Sequence, residues 1–118
     1  MERQHRTWNL ETVTDRVPGG IVLIPRGRIG SVTAAKFAEV LAAAQTESTA
    51  VIIDLASVDY ISGLGVAVLR EAATNGSRMI VCGLREPVRI TLELAQVLAG
   101  VIVKENRDAA IELLNADC

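Results

Sequence analysis

The chain reads as a single α/β domain: a mostly parallel sheet, opened by an N-terminal antiparallel hairpin and covered by about four helices. Three observations predict this. Short apolar runs at 21–24 (IVLI), 51–55 (VIIDL, broken only by Asp54) and 79–82 (MIVC) have the pattern of strands covered on both faces. Between them lie longer segments with apolar residues at helical spacing, so strands alternate with helices and imply right-handed crossovers. Half of the residues are hydrophobic but only 3% are aromatic. The core is therefore built from Val, Ile, Leu and Ala, which suits helices packed on a sheet. At 118 residues one core is complete, so residues 1–118 form one domain.

The charged residues 1–6 are expected to fray. From Thr7 to Arg16, with Trp8, Leu10 and Val13 as anchors, an edge strand is expected, ended by Pro18-Gly19-Gly20. Residues 21–24 form its hairpin partner and close at Pro25, and Gly27 and Gly30 bracket a loop. Ser31 or Thr33 caps a first helix, with Phe37, Val40, Leu41 and Ala44 inward and Lys36 and Glu39 outward.

The strand at 51–55 is followed by a polar passage. A helix then begins at Ser62 or Gly63, runs through Val66, Leu69, Ala72 and Ala73, and stops at Asn75-Gly76. Residues 78–83 give the next strand. Pro87 sits in the first turn of a helix reaching about Leu98, with Gly100 as terminator. This helix carries two apolar stripes, Val88-Leu92-Ala95 and Ile90-Leu94-Val97, and only one can face the sheet. A short strand at 101–103 and a helix capped by Asn106, with Ala110, Leu113 and Leu114 inward, complete the chain.

Several functions are excluded by what is missing. A net charge of -2 and so few aromatics disfavour nucleic acid as a partner. The N-terminus MERQHRTWNL resembles neither a secretory signal nor an anchor, and no run approaches the roughly 20 apolar residues that span a bilayer. A cytoplasmic protein without direct membrane insertion is expected. Cys82 and Cys118 are read as free thiols, Cys82 as a small core hydrophobe.

Gly63-Leu64-Gly65 lacks the third glycine of a dinucleotide fingerprint, because Val68 stands there. No Gly-Lys-Ser or Gly-Lys-Thr supplies a phosphate loop, since the lysines are Lys36 and Lys104. A nucleophile elbow at Ser62 would need glycine where Tyr60 stands, and the sole histidine is His5. His5, Cys82 and Cys118 are too scattered for a metal, so neither metal nor cofactor is expected. There remains a helix N-terminus with two glycines in its first turn. It is either a surface open to an anion or an approaching backbone, or a turn in which Ser62 caps the helix and the glycines permit tight packing.

VIIDLASVDYISGLGVAVL, together with IPRGRIGSVTAAKF and MIVCGLREPVRITLELAQVLAGVIV, resembles the STAS domain of bacterial anti-sigma-factor antagonists over nearly the whole chain. The resemblance implies a non-enzymatic regulator in stress or sporulation signalling. Such an antagonist binds an anti-sigma factor of the GHKL kinase type, which phosphorylates a serine in the turn before the central helix. An added phosphate, about -1.5 to -2 charges, would expel the partner.

This chain departs from the pattern at that turn. In an ungapped register Ser62 stands at the family's Asp and Gly63 at its acceptor Ser. In the register that matches Ser62-Gly63-Leu64-Gly65 to the family's Ser-Gly-Leu-Gly, Ile61 takes the acceptor position and Tyr60 the Asp. Gly27-Arg28-Ile29-Gly30 replaces a Gly-Glu-Leu-Asp common in the family, and Ser31 and Thr33 read as helix caps. Ser62, though shifted, is the nearest phosphoacceptor candidate.

The resemblance thus implies partner binding through Arg28, Gly30, Ser31, Ser62, Gly63, Leu64 and Gly65, with Leu64 as an apolar anchor and without the usual switch. Ile90, Leu94 and Val97 are a second contact stripe, and a weak homodimer is allowed. The alternative is a structural STAS module in a signalling scaffold or a lipid-transport complex, for which an exposed second stripe would speak.

Overall fold

The computed structural model describes residues 10–75 and 77–116. Trp8, the segment 1–6 with His5, Gly76 and Cys118 lie outside the described residues. Six strands and four helices follow in the order β1 (Leu10–Val17), β2 (Gly20–Ile29), α1 (Ala34–Glu47), β3 (Ala50–Asp54), β4 (Val58–Ile61), α2 (Gly63–Ala73), β5 (Arg78–Cys82), α3 (Glu86–Leu94), β6 (Ile102–Lys104), α4 (Arg107–Ala116). The sheet order is β1-β2-β3-β5-β6, with β4 also pairing to β2. Only β1 and β2 are antiparallel; every other pairing is parallel.

The hairpin turns on Pro18-Gly19. Proline fixes the first central position, and Gly19 at φ 91 supplies the left-handed second one, a type II pattern.

Strand alternation divides the core in two. Leu23, Val51, Ile53 and Val81 face α1, α2 and α3 and join Phe37, Leu41, Leu69 and Leu92. Val22, Ile52, Ile80 and Cys82 face α4 and join Ala110 and Leu114. Three helices thus cover one face and one the other, which is why β3 and β5 are apolar on both sides. In α4, Asn106 caps as expected, its Oδ1 accepting from the Ala109 amide at 2.9 Å. Ala110 and Leu114 are buried and Leu113, half-buried, packs against the same cluster at its margin, as the inner face expected.

Three readings of the sequence are corrected. β2 does not close at Pro25 but runs on to Ile29. Pro25 falls between the residues paired with β3 and those paired with β4, where the missing N–H costs no ladder bond. β4 was not anticipated: Val58 and Ile61 are buried while Asp59 and Tyr60 between them are exposed, a pattern without the period of 2.

α2 runs through Ala73 as expected, with Thr74 as its cap just before Asn75. α3 ends at Leu94, not near Leu98. Gln96 takes a left-handed φ of 61, its amide donating to the Glu93 carbonyl and the Val97 amide to that of Leu92. That turn drives Val97 inward to 3% exposure.

Cys82 is buried and free, as expected. Burial pushes its thiol up to about 12, with the negative charge of Asp54 adding and Arg107 opposing. An unfolded thiol ionises near 8.5, so above about pH 9 the unfolded state releases a proton that the folded state keeps. Stability then falls as pH rises, by up to about 1.4 kcal/mol per pH unit from this group. Urea midpoints from pH 8 to 11 should fall more steeply for the wild type than for Cys82→Ala. Equal slopes would rule out this origin.

Candidate functional site

The site is built where β2 and β4 end side by side. Their parallel pairing places Ile29 against Ile61, with a register shift at Gly27, whose φ of 125 allows the irregularity. The Ser62 amide donates to the Ile29 carbonyl at 2.8 Å and ties the two following turns together. The 28–33 turn is also braced from within. Thr33 Oγ1 accepts from the Gly30 amide at 2.9 Å and donates to the Arg28 carbonyl at 2.8 Å.

Thr33 therefore occupies the N-cap position of α1 without capping by its side chain, contrary to the expectation for it. Its hydroxyl holds the loop instead. Ser31 is exposed beside it.

At α2 the capping alternative is the one realised. Ser62 is buried at 8% exposure, and its Oγ accepts from the Gly65 amide at 3.2 Å. Gly65 is buried and packs tightly. A Cβ there would lie 2.7 Å from both Ile29 Cγ2 and Ile61 Cγ1 and 3.1 Å from the Ile29 carbonyl oxygen. Ser62 and Gly65, both expected as contact residues, are buried and bonded to each other here, while Gly63 and Leu64 stand at the surface. Gly63 has open space where a side chain would stand. Leu64 is 57% exposed.

Two residues that the sequence reading did not single out belong to this surface. Val32 stands out of the turn at 70% exposure, and Tyr60 is also exposed. The Arg28 guanidinium carbon lies 4.9 Å from the centroid of the Tyr60 ring, a cation–π contact. Gly30 backs the same ring, which a Cβ at that position would meet at 4.0 Å. The available signal for Val32 was an apolar residue between hydroxyls in a Gly-rich turn.

The second stripe is not continuous. Ile90 and Leu94 are exposed, Leu94 at 81%, but Val97 is buried by the turn that ends α3. Elsewhere, a depression of about 410 Å³ beside α4 is lined by Asp54, Gly83, Glu105, Asn106 and Arg107. Within it Arg107 Nε donates to Asp54 Oδ2 at 3.0 Å. Among the described residues no group of three acidic, His or Cys side chains could hold a metal, and no helix is long and apolar enough to cross a membrane.

Solved structures share the architecture. The chain is similar to an anti-sigma factor antagonist from Mycobacterium paratuberculosis, with a TM-score of 0.81 at 20% identity over 91% of this chain and 95% of that one. An anti-sigma-factor antagonist (STAS) domain protein from Planctomyces limnophilus gives 0.76 at 12% identity, covering 87% and 96%. The Bacillus cell fate determinant SpoIIAA in its phosphorylated form gives 0.64 at 14%, covering 88% and 99%. At these identities the likeness establishes the fold. No curated protein sequence matches the chain. The family model of the STAS domain matches residues 11–110, and with the strand order and helix placement above, the chain belongs to the STAS domain family.

Proposed function

We propose that the chain is an anti-sigma-factor antagonist that binds an anti-sigma factor of the GHKL kinase type through the 28–33 turn and the start of α2. The observation that carries this reading is the exposure of Leu64 and Val32 on two turns tied by the Ser62–Ile29 hydrogen bond. Large aliphatic side chains held out on rigid turns are anchors for a partner rather than core residues. The described surface offers exposed apolar side chains, which suits a role in binding.

The same geometry argues against a phosphoswitch at this turn. The Ser62 hydroxyl is buried and engaged with the Gly65 amide, Gly63 has no hydroxyl, and Ile61 is buried. Size-exclusion chromatography with the host's GHKL-type anti-sigma factors tests the reading. Co-elution with one of them is expected, and failure with all would refute it.

A second reading, a STAS module held in a signalling scaffold or a lipid-transport complex, draws on exposed Ile90 and Leu94 on α3. It predicts a partner that is lost on substitution of Leu94 and not of Leu64.

A further inference from the structure

We infer that the surface which the partner brings to this site is acidic as well as aliphatic, with a carboxylate seated on Arg28. The inference rests on the binding role proposed above and names the chemistry of the partner. Arg28 is exposed, and the described ion pairs engage Arg16 and Arg107 rather than Arg28. Arg26, two residues earlier, has Glu11 opposite it across the β1–β2 ladder. The described ladder ends at Leu10 and Gly27, so Arg28 lies beyond it with no acidic residue in register. Asp59, next to Tyr60 in β4, makes no ion pair with it.

Stacking on Tyr60 holds the guanidinium over the ring and leaves its N–H edge for a carboxylate. A side chain already held in this way loses less freedom when it binds, which favours it as a contact. The helix ends add to its charge. α1 and α2 both point their N-termini at this end of the sheet, and neither has an acidic residue in its first turn, so both positive ends remain unanswered.

A purely aliphatic partner covering Val32 and Leu64 would bury Arg28 without a counter-charge, and a basic one would be repelled. A partner with carboxylates beside an aliphatic patch meets both demands. The site is thus selective although the chain as a whole is weakly negative.

Two synthetic amphipathic helical peptides test this independently of any natural partner. They share one leucine-rich face, flanked by glutamates in the first and by lysines in the second. Titrated into the full chain labelled for NMR, the glutamate peptide should shift the amide signals of Val32, Tyr60, Gly63 and Leu64. It should bind about fivefold tighter than the lysine peptide, the ratio expected from one exposed charge pair. Arg28→Glu, at an exposed position that leaves the core intact, should reverse the preference. Equal affinity for both peptides, preference for the lysine peptide in the wild type, or no shift at these residues would overturn the inference. Absence of a complex with every anti-sigma factor would instead count against the proposed function, so the two failures are distinguishable.

Discussion

Leu64→Asp should weaken binding of the proposed anti-sigma-factor partner about 100-fold or more while leaving the fold intact. The side chain is exposed at the second position of α2, so its loss removes no core contact. A carboxylate in the first turn of a helix meets the positive end of the dipole, which contributes a few tenths of a kcal/mol in favour of folding. For binding, both changes are adverse. The proposed aliphatic anchor is replaced by a charge that must be desolvated, and the acidic surface inferred for the partner would repel it. Hot-spot truncations cost about 2 kcal/mol or more, and a buried unpaired charge adds to that. An affinity loss of at least about 100-fold is expected by calorimetric titration. An unchanged urea midpoint must accompany it, and retained affinity would remove Leu64 from the interface.

Phe37→Ala should have the largest effect on stability, about 3–5 kcal/mol. Phe37 is the one phenylalanine in the chain and is wholly buried on the α1 face of the sheet, among Leu41, Ile53 and Leu69. Few aromatics mean that no neighbour can fill the vacated volume, and the surrounding strands are too tightly paired to collapse into it. Its amide also closes the first turn of α1 by donating to the Thr33 carbonyl at 3.0 Å. That backbone bond is retained in the alanine variant, so the loss comes from the side chain. A urea titration reads the stability directly; a loss below about 1 kcal/mol would show that α1 is less firmly seated than its burial implies.

Much of the architecture was legible because burial on two faces leaves a plain mark. The apolar runs around Ile52 and Ile80 could be nothing but covered strands, and Asn106 and Ser62 cap where a short polar side chain precedes a helical period. What escaped the sequence escaped for physical reasons. β4 has two consecutive exposed residues, Asp59 and Tyr60, so no alternation announces it. The stop after Leu94 relies on Gln96 in a left-handed conformation that glycine usually takes, and Gly100 drew attention downstream.

At the site, the cap at Ser62 with tightly packed glycines was one of two alternatives that the sequence left open, and tertiary contacts decide between them. Whether Gly65 gives its amide to a partner or to Ser62 depends on how closely Ile29 and Ile61 approach, and that is a tertiary fact. The Arg28–Tyr60 contact joins residues brought together only by the β2–β4 pairing. No local pattern foretells it.

The central claim is that this turn binds without the usual off-switch. Its most direct test is to pass the complex of the chain with the proposed GHKL-type anti-sigma factor over a sizing column before and after incubation with ATP and magnesium, recording the intact mass of the chain each time. The complex should persist, and the chain should gain no phosphate. Dissociation together with one added phosphate on the chain would contradict it.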